Sequence, residues 1–544
     1  MKKILNWKLA ISLVILLAAF LRLWQLGNVP SGTPNDEAAY VYNAYSIWHT
    51  GKDILGNFLP LSFNAFSSMS PVPVYLTAPF VGLLGLSLFS ARLPFALVGI
   101  GSVFMLFLIT DCLFINKRIA VISALLLAIS PWVLQIGRGV WDADMALFFM
   151  LFGIYVFIKN INTNKLLLSI IPFTLAFYSY HATKIFFIFL IPVLLFVFRK
   201  ELLKRKKILG LFLLGVLLIL ASFLIVIKTQ SVSRQDNISL LSDPQASAKV
   251  NWERQYNIAP QILRTVFSNK PLYYLKAIRE NYLEVFSTQY LFLYGEQHGA
   301  SQIFNIAFRG ELYIIELPLL LFGVYALIKN KNNNSRNLVL ALLLIGPLPS
   351  TFTLGMSFVT RDIMILPMLL VIIALGIDYL LKRIWEQKHI YKYLFLIIFV
   401  LSYLFLFSEY FYQYYYRWSV YGAEAWQKSY RDVVALISSK RKSYDNIYVS
   451  KYPEEFLLQY AVAEKIDPSV VQKVWGDKDI KLYNITLFKE CLPKNSNDKI
   501  SSLPKSTLYA SLASDCQYKL STPSATILDE GESLHVIWNI YENK

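Results

Sequence analysis

Apolar runs of membrane-spanning length alternate with short polar links along most of the chain. Because about 20 apolar residues are needed to cross the hydrocarbon core as a helix, each run predicts a transmembrane helix. The eleven predicted spans cover residues 8–26, 93–114, 118–136, 142–158, 166–182, 184–198, 208–227, 312–328, 337–354, 363–381 and 393–411. The chain is therefore predicted to be a mainly α, polytopic membrane protein.

One further apolar stretch, PVPVYLTAPFVGLLGLSLF at residues 71–89, carries three prolines and several glycine and serine interruptions. Its placement follows from the basic links, since Lys and Arg concentrate in cytoplasmic loops. If residues 71–89 do not cross, every Lys- and Arg-rich link, including RKELLKRKK at 199–207, lies on the cytoplasmic side with Lys2 and Lys3. We therefore predict that this stretch is a juxtamembrane helix at the outer interface.

Composition agrees with a membrane protein and explains the positive charge. Hydrophobic residues make up 56% of the 544 residues and charged residues 16%, with a mean hydropathy of +0.47. The net charge of +17 does not indicate nucleic-acid binding, because the Lys and Arg residues lie in short clusters between apolar runs. No nucleic-acid partner is expected.

The same topology puts residues 27–92, residues 228–311 and everything after residue 412 outside the membrane. The outer links carry ionisable residues at one membrane face, namely Asp36, Glu37, Arg138, Asp142, Asp144, His181, Lys184, Arg361 and Asp362. Charges at helix ends also suit the helix dipole, so each residue alone has an ordinary structural explanation. Asp36 and Glu37 stand out because they begin a predicted outer helix whose Tyr40 either anchors in the interface or stacks on a sugar.

Acids also occur away from these short links. Glu296 and His298 occupy a glycine-flanked turn of the outer loop 228–311, which either covers a substrate pocket as a lid or is a solvated tip. Glu316 lies within an apolar run, and a carboxylate facing lipid is costly, so its side chain is predicted to point into the helix bundle. All three are candidate substrate-binding residues.

The composition changes after residue 417. Residues 418–544 are polar and alternate helix-like with strand-like segments, which predicts a small α/β domain outside the membrane, after a transmembrane domain at 1–417. Cys491 and Cys516 lie in this domain, and a disulfide between them is expected if the domain is exported. The sequence contains no Walker loop, dinucleotide fingerprint or paired-cysteine zinc motif.

Successive segments occur in an order that resembles a known family. The first apolar helix is followed by DEAAYVYNAYSIWHTGKD, then by SPVPVYLTAPFVGLLGLSLFSARLPFALVG, and then by AVISALLLAISPWVLQIGRGVWDADMALFFMLFGIYVF. Together they resemble glycosyltransferase family 39, the dolichyl-phosphate-mannose protein mannosyltransferase type, and its bacterial relatives in the GT-C superfamily. The resemblance covers residues 1 to about 160 and the later helices in outline, and it implies a polytopic glycosyltransferase.

The resemblance assigns roles by position. An acid in the first outer loop is implied to be the catalytic base or to bind the acceptor, a second acid follows an S-R element, and basic residues stand in two later links. The matching residues here are Asp36 with Glu37, then Asp142 or Asp144 after Gly137-Arg138, then Lys184 after Tyr180 and His181, and finally Arg361 before Pro367. Tyr40, Tyr180 and His181 are candidate substrate-binding residues. Gly137 departs from the family's serine, which leaves the choice between the two later acids open.

Enzymes of this kind take a sugar from a polyprenyl-phosphate carrier. Transfer to an extracytoplasmic protein, lipid or cell-wall glycan, with inversion at the anomeric carbon, requires a base for the acceptor hydroxyl and cations for the departing phosphate. Asp36 is the predicted base. Arg138, Lys184 and Arg361 are predicted to bind the phosphate, since guanidinium and ammonium groups bind phosphate oxygens. The acid pairs also suit a divalent cation, but no full ligand set is visible, so no metal is assigned.

Other functions are compatible with the same residues. A transporter or flippase of lipid-linked sugars would also hold a phosphate with outer charges, but it would need polar or broken helices near the middle of the membrane. The ionisable residues concentrate instead at one face, which favours an enzyme. A non-catalytic scaffold whose soluble domain binds a partner is a third hypothesis.

Overall fold

The structure is a computed structural model that describes residues 6–229, 239–296, 301–304, 306, 309–354, 358–386, 389–450, 452–492, 502–516, 521–529, 531 and 535–544. Most of these residues are helical, which confirms the predicted mainly α fold. The α-helices are α1 (Trp7–Leu23), α2 (Asn35–Thr50), α3 (Pro71–Leu83), α4 (Leu88–Phe114), α5 (Lys117–Ile129), α6 (Pro131–Ile136), α7 (Asp142–Lys159), α8 (Ile170–Phe177), α9 (His181–Val197), α10 (Arg199–Leu203), α11 (Lys206–Thr229), α12 (Ala246–Gln255), α13 (Gln261–Phe267), α14 (Lys270–Glu284), α15 (Ser301–Phe304), α16 (Glu316–Ile328), α17 (Asn333–Ile345), α18 (Leu348–Thr351), α19 (Phe358–Arg361), α20 (Leu366–Trp385), α21 (His389–Tyr412), α22 (Trp418–Tyr421), α23 (Lys428–Lys440), α24 (Pro453–Glu464) and α25 (Pro468–Val474). The strands are β1 (Phe63–Asn64), β2 (Ser68–Met69), β3 (Asn446–Ser450), β4 (Ile480–Leu482), β5 (Ile485–Phe488), β6 (Thr507–Leu512), β7 (Ala525–Leu528) and β8 (Val536–Asn543).

The chain folds as two compact units. Unit 1 consists of Met1–Arg22, Phe95–Gly137 and Trp141–Glu409, and unit 2 consists of Leu23–Pro94, Arg138–Val140 and Tyr410–Lys544. Unit 2 thus combines the first outer loop with the C-terminal segment. The division predicted at residue 418 follows a change of composition, whereas the compact units group residues that are far apart in the chain.

Several helices have the character of membrane spans. Within the described ranges, the helices long and apolar enough to cross are the four at Leu88–Phe114, Lys206–Ile227, Ile363–Trp385 and Ile390–Tyr421. Shorter apolar helices cover Pro71–Leu83, Asn164–Phe177, His181–Val197 and Glu316–Ile328. The total of eleven spans stays a prediction.

Proline interrupts one of the predicted spans. Residues 118–136 form two helices, α5 and α6, which meet at Ser130 and Pro131. Proline has no N–H to continue the hydrogen-bond ladder and its ring clashes with the preceding turn, whereas the first position of a new helix suits it. The span predicted at 166–182 is also divided, because a 3-10 turn at Asn164–Ser169 precedes α8, which ends at Phe177.

The core of unit 1 is built around α20, which is buried from Leu366 to Asp378. It packs against α16 at glycines that allow the two backbones to approach. A Cβ at Gly376 would lie 2.0 Å from the Leu319 carbonyl oxygen, and one at Gly323 would lie 1.9 Å from the Ile372 carbonyl oxygen. Small residues at such crossings are the usual means of close helix packing in membrane proteins.

Gly376→Ala should therefore destabilise unit 1. The added methyl group must push two helix backbones apart, and overpacking of this kind costs about 1–3 kcal/mol. Gly210→Ala in α11 is the matched control, since a Cβ there meets nothing within 4 Å, and replacing a helical glycine with alanine stabilises by up to about 1 kcal/mol. Thermal unfolding in detergent measures both. Equal unfolding temperatures for the two variants would contradict the close contact.

The C-terminal part of unit 2 forms a mixed sheet with the strand order β4-β5-β3-β6-β8-β7. Strand β3 is parallel to β5 and β6, whereas the outer strands pair antiparallel. Cys491 and Cys516 form a disulfide, as the sequence led us to expect for an exported domain. The predicted α/β character of the C-terminal part is thereby confirmed, whereas the bounds of the domain and its position outside the membrane stay predictions.

The first outer loop supplies the other half of unit 2. Helix α2 begins after Pro34 and ends at Gly51, whose left-handed φ of 68° lets its N–H reach the Ile47 carbonyl. It packs against α3, the helix formed by the proline-rich stretch that was predicted to lie at the outer interface. Two acids in its first turn suit the positive end of the helix dipole.

Candidate active site

Asp36 and Glu37 are neighbours in the first turn of α2, but their surroundings differ. Glu37 is fully buried, and its carboxylate accepts two hydrogen bonds from Arg92, Nε to Oε1 at 2.7 Å and Nη2 to Oε2 at 2.8 Å. The Val140 N–H also donates to Glu37 Oε1, at 3.1 Å. Asp36 is half-buried. These contacts suit Glu37 to stabilising the conformation of the first outer loop. Asp36 is the more accessible of the two acids. A catalytic role for either residue stays a prediction.

Arg92 was not among the predicted site residues, although it lies in the family-like segment SPVPVYLTAPFVGLLGLSLFSARLPFALVG. Its guanidinium is fully buried, and the remaining N–H groups donate to backbone carbonyls of the first outer loop. The acceptors are Leu26, Pro30 and Gly32, at 3.3, 2.9 and 2.8 Å. A buried ion pair is tolerated when its hydrogen-bonding groups are satisfied in this way. Arg92 therefore ties the loop before α2 to the acid at the start of that helix.

Tyr40 lies one turn after Asp36 on α2. Its side chain is 6% exposed, and its hydroxyl accepts a hydrogen bond from the Ser70 N–H at 3.2 Å. Little of the ring surface is accessible, so these contacts suit packing in unit 2 better than stacking on a sugar. Its substrate-binding role stays a prediction.

Arg138, predicted to bind the donor phosphate, is fully buried in unit 2. Its Nη2 donates to the carbonyl oxygens of Trp24 at 2.9 Å and Val29 at 3.0 Å. Its guanidinium carbon lies 4.8 Å from the ring centroid of Tyr415 and 5.7 Å from that of Tyr414. Cation–π contacts and backbone carbonyls satisfy a buried arginine without an anion. The phosphate role stays a prediction.

The two acids of WDAD face different cations within unit 1. Asp144 is 1% exposed and interacts electrostatically with Arg22, a residue of α1 that is equally buried. Two glycines, Gly99 and Gly137, lie next to both side chains. A Cβ on Gly99 would lie 2.9 Å from Arg22 Nε and 3.3 Å from Asp144 Oδ2, so the absence of a side chain there leaves room for the pair. Sequence reasoning missed Arg22, although an arginine inside the first apolar run was a visible signal.

Asp142 is half-buried at the start of α7 and interacts electrostatically with Lys184, near the start of α9. Lys184 is 7% exposed, with its Nζ 3.5 Å from the Tyr180 carbonyl oxygen. The ammonium also lies 5.2 Å from the ring centroid of Phe223 and 5.6 Å from that of Phe177. An ammonium with so little water around it interacts strongly with any anion that reaches it. The structure thus brings together one predicted acid and one predicted phosphate-binding residue.

The predicted link residues around Lys184 are only partly enclosed. Tyr180 and His181 are both half-buried. The Tyr180 hydroxyl donates to Thr360 Oγ1 at 3.2 Å, which connects the link before α9 to the short helix α19. His181 is the first residue of α9. Their substrate-binding roles stay predictions.

Buried acids gather near Arg361, the third predicted phosphate-binding residue. Glu296, Glu311 and Asp362 are 2%, 3% and 0% exposed. Arg361 interacts electrostatically with Glu296 and with Asp362. Glu296 Oε2 accepts the Val359 N–H at 3.1 Å. Arg361 itself is half-buried, and its Nη1 donates to Thr353 Oγ1 at 2.8 Å. Burial excludes the solvated loop tip for Glu296, whereas a role in covering a pocket stays a prediction.

Burial raises the pKa of Glu296 to about 7, although the Val359 N–H and Arg361 both favour the ionised form. The folded state therefore binds a proton that the unfolded chain releases near pH 4.5. The stabilisation by this proton is complete below about pH 4.5 and is lost as the pH rises to about 7, at up to about 1.4 kcal/mol per pH unit.

Glu296→Gln should flatten this part of the stability profile, because the amide stays neutral at every pH. We expect a smaller fall in the unfolding temperature between pH 5 and about 7.5 than for the wild type, by thermal unfolding at a series of pH values. Glu280→Gln is the control, since that side chain is 67% exposed. A fall in Glu296→Gln as steep as in the wild type would contradict the assignment.

Glu316 begins α16, and its predicted orientation into the bundle is confirmed. The residue is 2% exposed, and its carboxylate accepts hydrogen bonds from the Tyr313 N–H at 3.0 Å and the Tyr403 hydroxyl at 3.4 Å. Both partners lie in unit 1. The contacts satisfy a carboxyl group within an apolar run, and a substrate-binding role stays a prediction.

His298 lies outside the described residues, so its predicted role beside Glu296 stays untested. Among the residues that the structure describes, no group of three His, Cys, Asp or Glu side chains could hold a metal ion. The possible divalent cation stays a prediction.

Comparisons with known proteins add to this geometry. Residues 68–226 match the family model of dolichyl-phosphate-mannose-protein mannosyltransferase. No curated protein matches the chain significantly. Among solved structures, ArnT from Cupriavidus metallidurans bound to undecaprenyl phosphate is similar over 98% of this chain and 97% of its own, with a TM-score of 0.51 and 11% identity.

Two further solved structures are similar in part. The archaeal oligosaccharyltransferase AglB from Archaeoglobus fulgidus, in complex with an inhibitory peptide and a dolichol-phosphate, matches 93% of this chain and 69% of its own, with a TM-score of 0.48 and 13% identity. The S. cerevisiae protein O-mannosyltransferase Pmt1-Pmt2 complex bound to the sugar donor matches 43% of this chain and 35% of its own, with a TM-score of 0.33 and 18% identity. Residues 68–226 therefore resemble this mannosyltransferase family in sequence, and the chain as a whole shares its fold with ArnT.

Proposed function

We propose that this protein transfers a sugar from a polyprenyl-phosphate donor to an extracytoplasmic acceptor, with inversion at the anomeric carbon. The observation that carries the donor assignment is Lys184, an ammonium group that is nearly buried between aromatic rings at the start of an apolar helix. A cation in that setting suits an anionic head group whose tail is a hydrocarbon. The fold shared with ArnT, a protein solved with undecaprenyl phosphate, supports the same class of donor.

The proposed reaction is a single displacement. The acceptor oxygen forms a bond to the anomeric carbon while the bond from that carbon to the phosphate oxygen breaks. Asp36 takes the proton of the acceptor hydroxyl, and the polyprenyl phosphate leaves with the electron pair of the broken bond. Lys184 stabilises the negative charge that develops on the leaving phosphate, and Arg361 is proposed as a second cation for it.

The accessible acid of the pair in α2 is the better candidate for the base. Asp36 is half-buried, whereas Glu37 is fully buried and already accepts bonds from Arg92 and Val140. A general base must reach the proton that it removes. We therefore propose Asp36 as the base and Glu37 as a residue that positions the turn containing it.

Sugar transfer by purified protein in liposomes tests the function. Radiolabelled polyprenyl-phosphate sugars serve as donors and a crude cell-envelope fraction as acceptor. We expect labelled acceptor with at least one donor, and Lys184→Ala should raise the donor KM by about tenfold or more, because it removes a charge-assisted contact. Lys200→Ala, in an exposed basic cluster, is the control. Donor that crosses the bilayer without any transfer would indicate a flippase instead.

We also propose that the C-terminal domain lies outside the cytoplasm. The Cys491–Cys516 disulfide supports this, because such bonds persist in oxidising compartments. In intact cells, a membrane-impermeant alkylating reagent should label these cysteines only after an impermeant reductant is added. Labelling that requires lysis of the cells would contradict the proposal. A Cys491→Ser/Cys516→Ser variant identifies the labelled positions.

A further inference from the structure

Helix α2, which carries Asp36, is in contact with the C-terminal domain as well as with α3. It packs against α24 and α25 of that domain within unit 2. Much of α2 is buried by these neighbours, including every residue from Glu37 to Ala44. The C-terminal domain is therefore part of the structural support of the proposed base, although its residues lie far from that base in sequence: Ser31 and Arg431, which are hydrogen-bonded, are 400 residues apart.

The segment that leads into α2 is held by hydrogen bonds from the C-terminal domain. Gln459 Nε2 donates to the Thr33 carbonyl oxygen at 2.5 Å, and Arg431 Nη1 donates to the Ser31 carbonyl oxygen at 3.0 Å. The side chains of Asn35 and Glu455 also form a hydrogen bond with each other. These bonds end one residue before Asp36.

The opposite end of α2 is held by a second set of bonds. Gln472 Nε2 lies within hydrogen-bond distance of three oxygens at the end of the helix and just beyond it: Ser46 Oγ at 3.1 Å, Thr50 Oγ1 at 3.3 Å and the Asp53 carbonyl at 2.9 Å. In the middle of α2, the Tyr42 hydroxyl donates to the Ile466 carbonyl oxygen at 2.8 Å. The C-terminal domain is thus hydrogen-bonded to α2, or to residues next to it, at the start, middle and end of the helix.

The contacts between α2 and the C-terminal domain are hydrogen bonds, and this restricts how the helix can move. Gln459 is 6% exposed and Tyr42 is fully buried, and burying such groups is unfavourable unless their hydrogen bonds are made. An apolar contact tolerates a sliding or rotating helix, but these bonds are directional and are lost when the helix moves. They therefore define both the rotation of α2 about its axis and its position along that axis.

From this arrangement we infer that the C-terminal domain positions α2, the helix that carries Asp36, with Gln459, Gln472 and Tyr42 as positioning residues. The inference rests on the proposed role of Asp36 as base. Misplacement of a catalytic group by about 1 Å can lower the rate by about 100-fold. Releasing α2 from the domain therefore lowers kcat without changing donor binding.

The test uses the full chain with Gln459→Met and Gln472→Met, singly and combined. Methionine has nearly the same shape as glutamine but cannot donate the hydrogen bonds. We expect the double variant to lose about 10- to 100-fold in kcat with an unchanged donor KM. Lys473→Met is the control, because Lys473 is exposed on the same helix as Gln472.

A second measurement separates positioning from folding and from the reaction itself. Hydrogen exchange of the α2 amides should be faster in the double variant, while exchange of the C-terminal sheet stays as in the wild type. If the double variant does not fold, Tyr42→Phe replaces it, because that change removes only the hydroxyl that bonds Ile466. Its expected kcat loss is about 3- to 10-fold, as for one hydrogen bond of about 1 kcal/mol.

The outcomes are distinct. An unchanged kcat in a folded double variant overturns the inference, and so does a raised KM at constant kcat, which would make the glutamines substrate-binding residues. If the wild type transfers no sugar from any donor, the proposed function fails and the catalytic part of the inference fails with it. In that case unchanged exchange of α2 in the double variant would also overturn the structural part.

Discussion

Asp36→Asn is expected to lower kcat for sugar transfer by about 100- to 10,000-fold, with the donor KM unchanged. The amide has nearly the shape of the carboxylate but cannot accept the proton of the acceptor hydroxyl, and a positioned general base contributes about that much. The half-buried position of Asp36 in the first turn of α2 keeps this carboxylate accessible while its neighbour is buried. Initial rates in liposomes at saturating donor give the comparison.

The control for this change is Asp432→Asn, which alters a carboxylate of the same unit that is 41% exposed. That variant should retain the wild-type rate. Asp36→Asn protein that keeps its unfolding temperature and donor binding but loses transfer supports the assignment. Transfer within about threefold of the wild type would remove Asp36 from the mechanism, since a general base is worth far more than that.

Glu37→Ala is expected to destabilise the protein by about 3–5 kcal/mol, because it leaves the Arg92 charge buried without its partner. Arg92→Leu should have an effect of the same size for the converse reason. The double variant Glu37→Met/Arg92→Leu should be less destabilised than the sum of the single variants, since both charges are removed together. Denaturant unfolding followed by tryptophan fluorescence in detergent measures all three.

Recovery in the double variant should still be partial. Arg92 also donates to the carbonyls of Leu26, Pro30 and Gly32, and these lose their donors when it is replaced. The pair Arg383–Glu386 is the surface control, with side chains 62% and 65% exposed. Its removal should change stability by no more than about 1 kcal/mol. If Glu37→Ala proved as mild as this control and yet abolished transfer, Glu37 would be catalytic and not a positioning residue.

Much of the architecture was predictable from the order of apolar and polar residues. Apolar runs predict helices wherever the hydrocarbon requires internally bonded backbone, and the alternating polar segment after residue 417 predicts the small α/β domain. The orientation of the Glu316 side chain into the helix bundle was also predictable from the local sequence, because a carboxylate in an apolar run is costly unless it faces protein. A disulfide between Cys491 and Cys516 was expected only if the domain is exported, and the structure contains this bond.

The roles of neighbouring acids were not predictable in the same way. Successive residues on a helix point about 100° apart, so Asp36 and Glu37 face different surroundings although they share one turn. Arg92 lies 55 residues after Glu37, and nothing local indicates that the two meet. The same holds for Asp142 and Asp144, whose electrostatic partners are Lys184 and Arg22.

The sequence by itself determined the fold class, the acids and cations available for glycosyl transfer, and the division into apolar and polar parts, because these depend on local composition and periodicity. Only the tertiary structure decided which acid is buried in an ion pair, which cation is nearly dehydrated, and that the C-terminal domain contacts the helix of the proposed base. Those features depend on contacts between residues distant in the chain, and a hydrogen bond or ion pair is set by a separation of about 3 Å that sequence order does not encode.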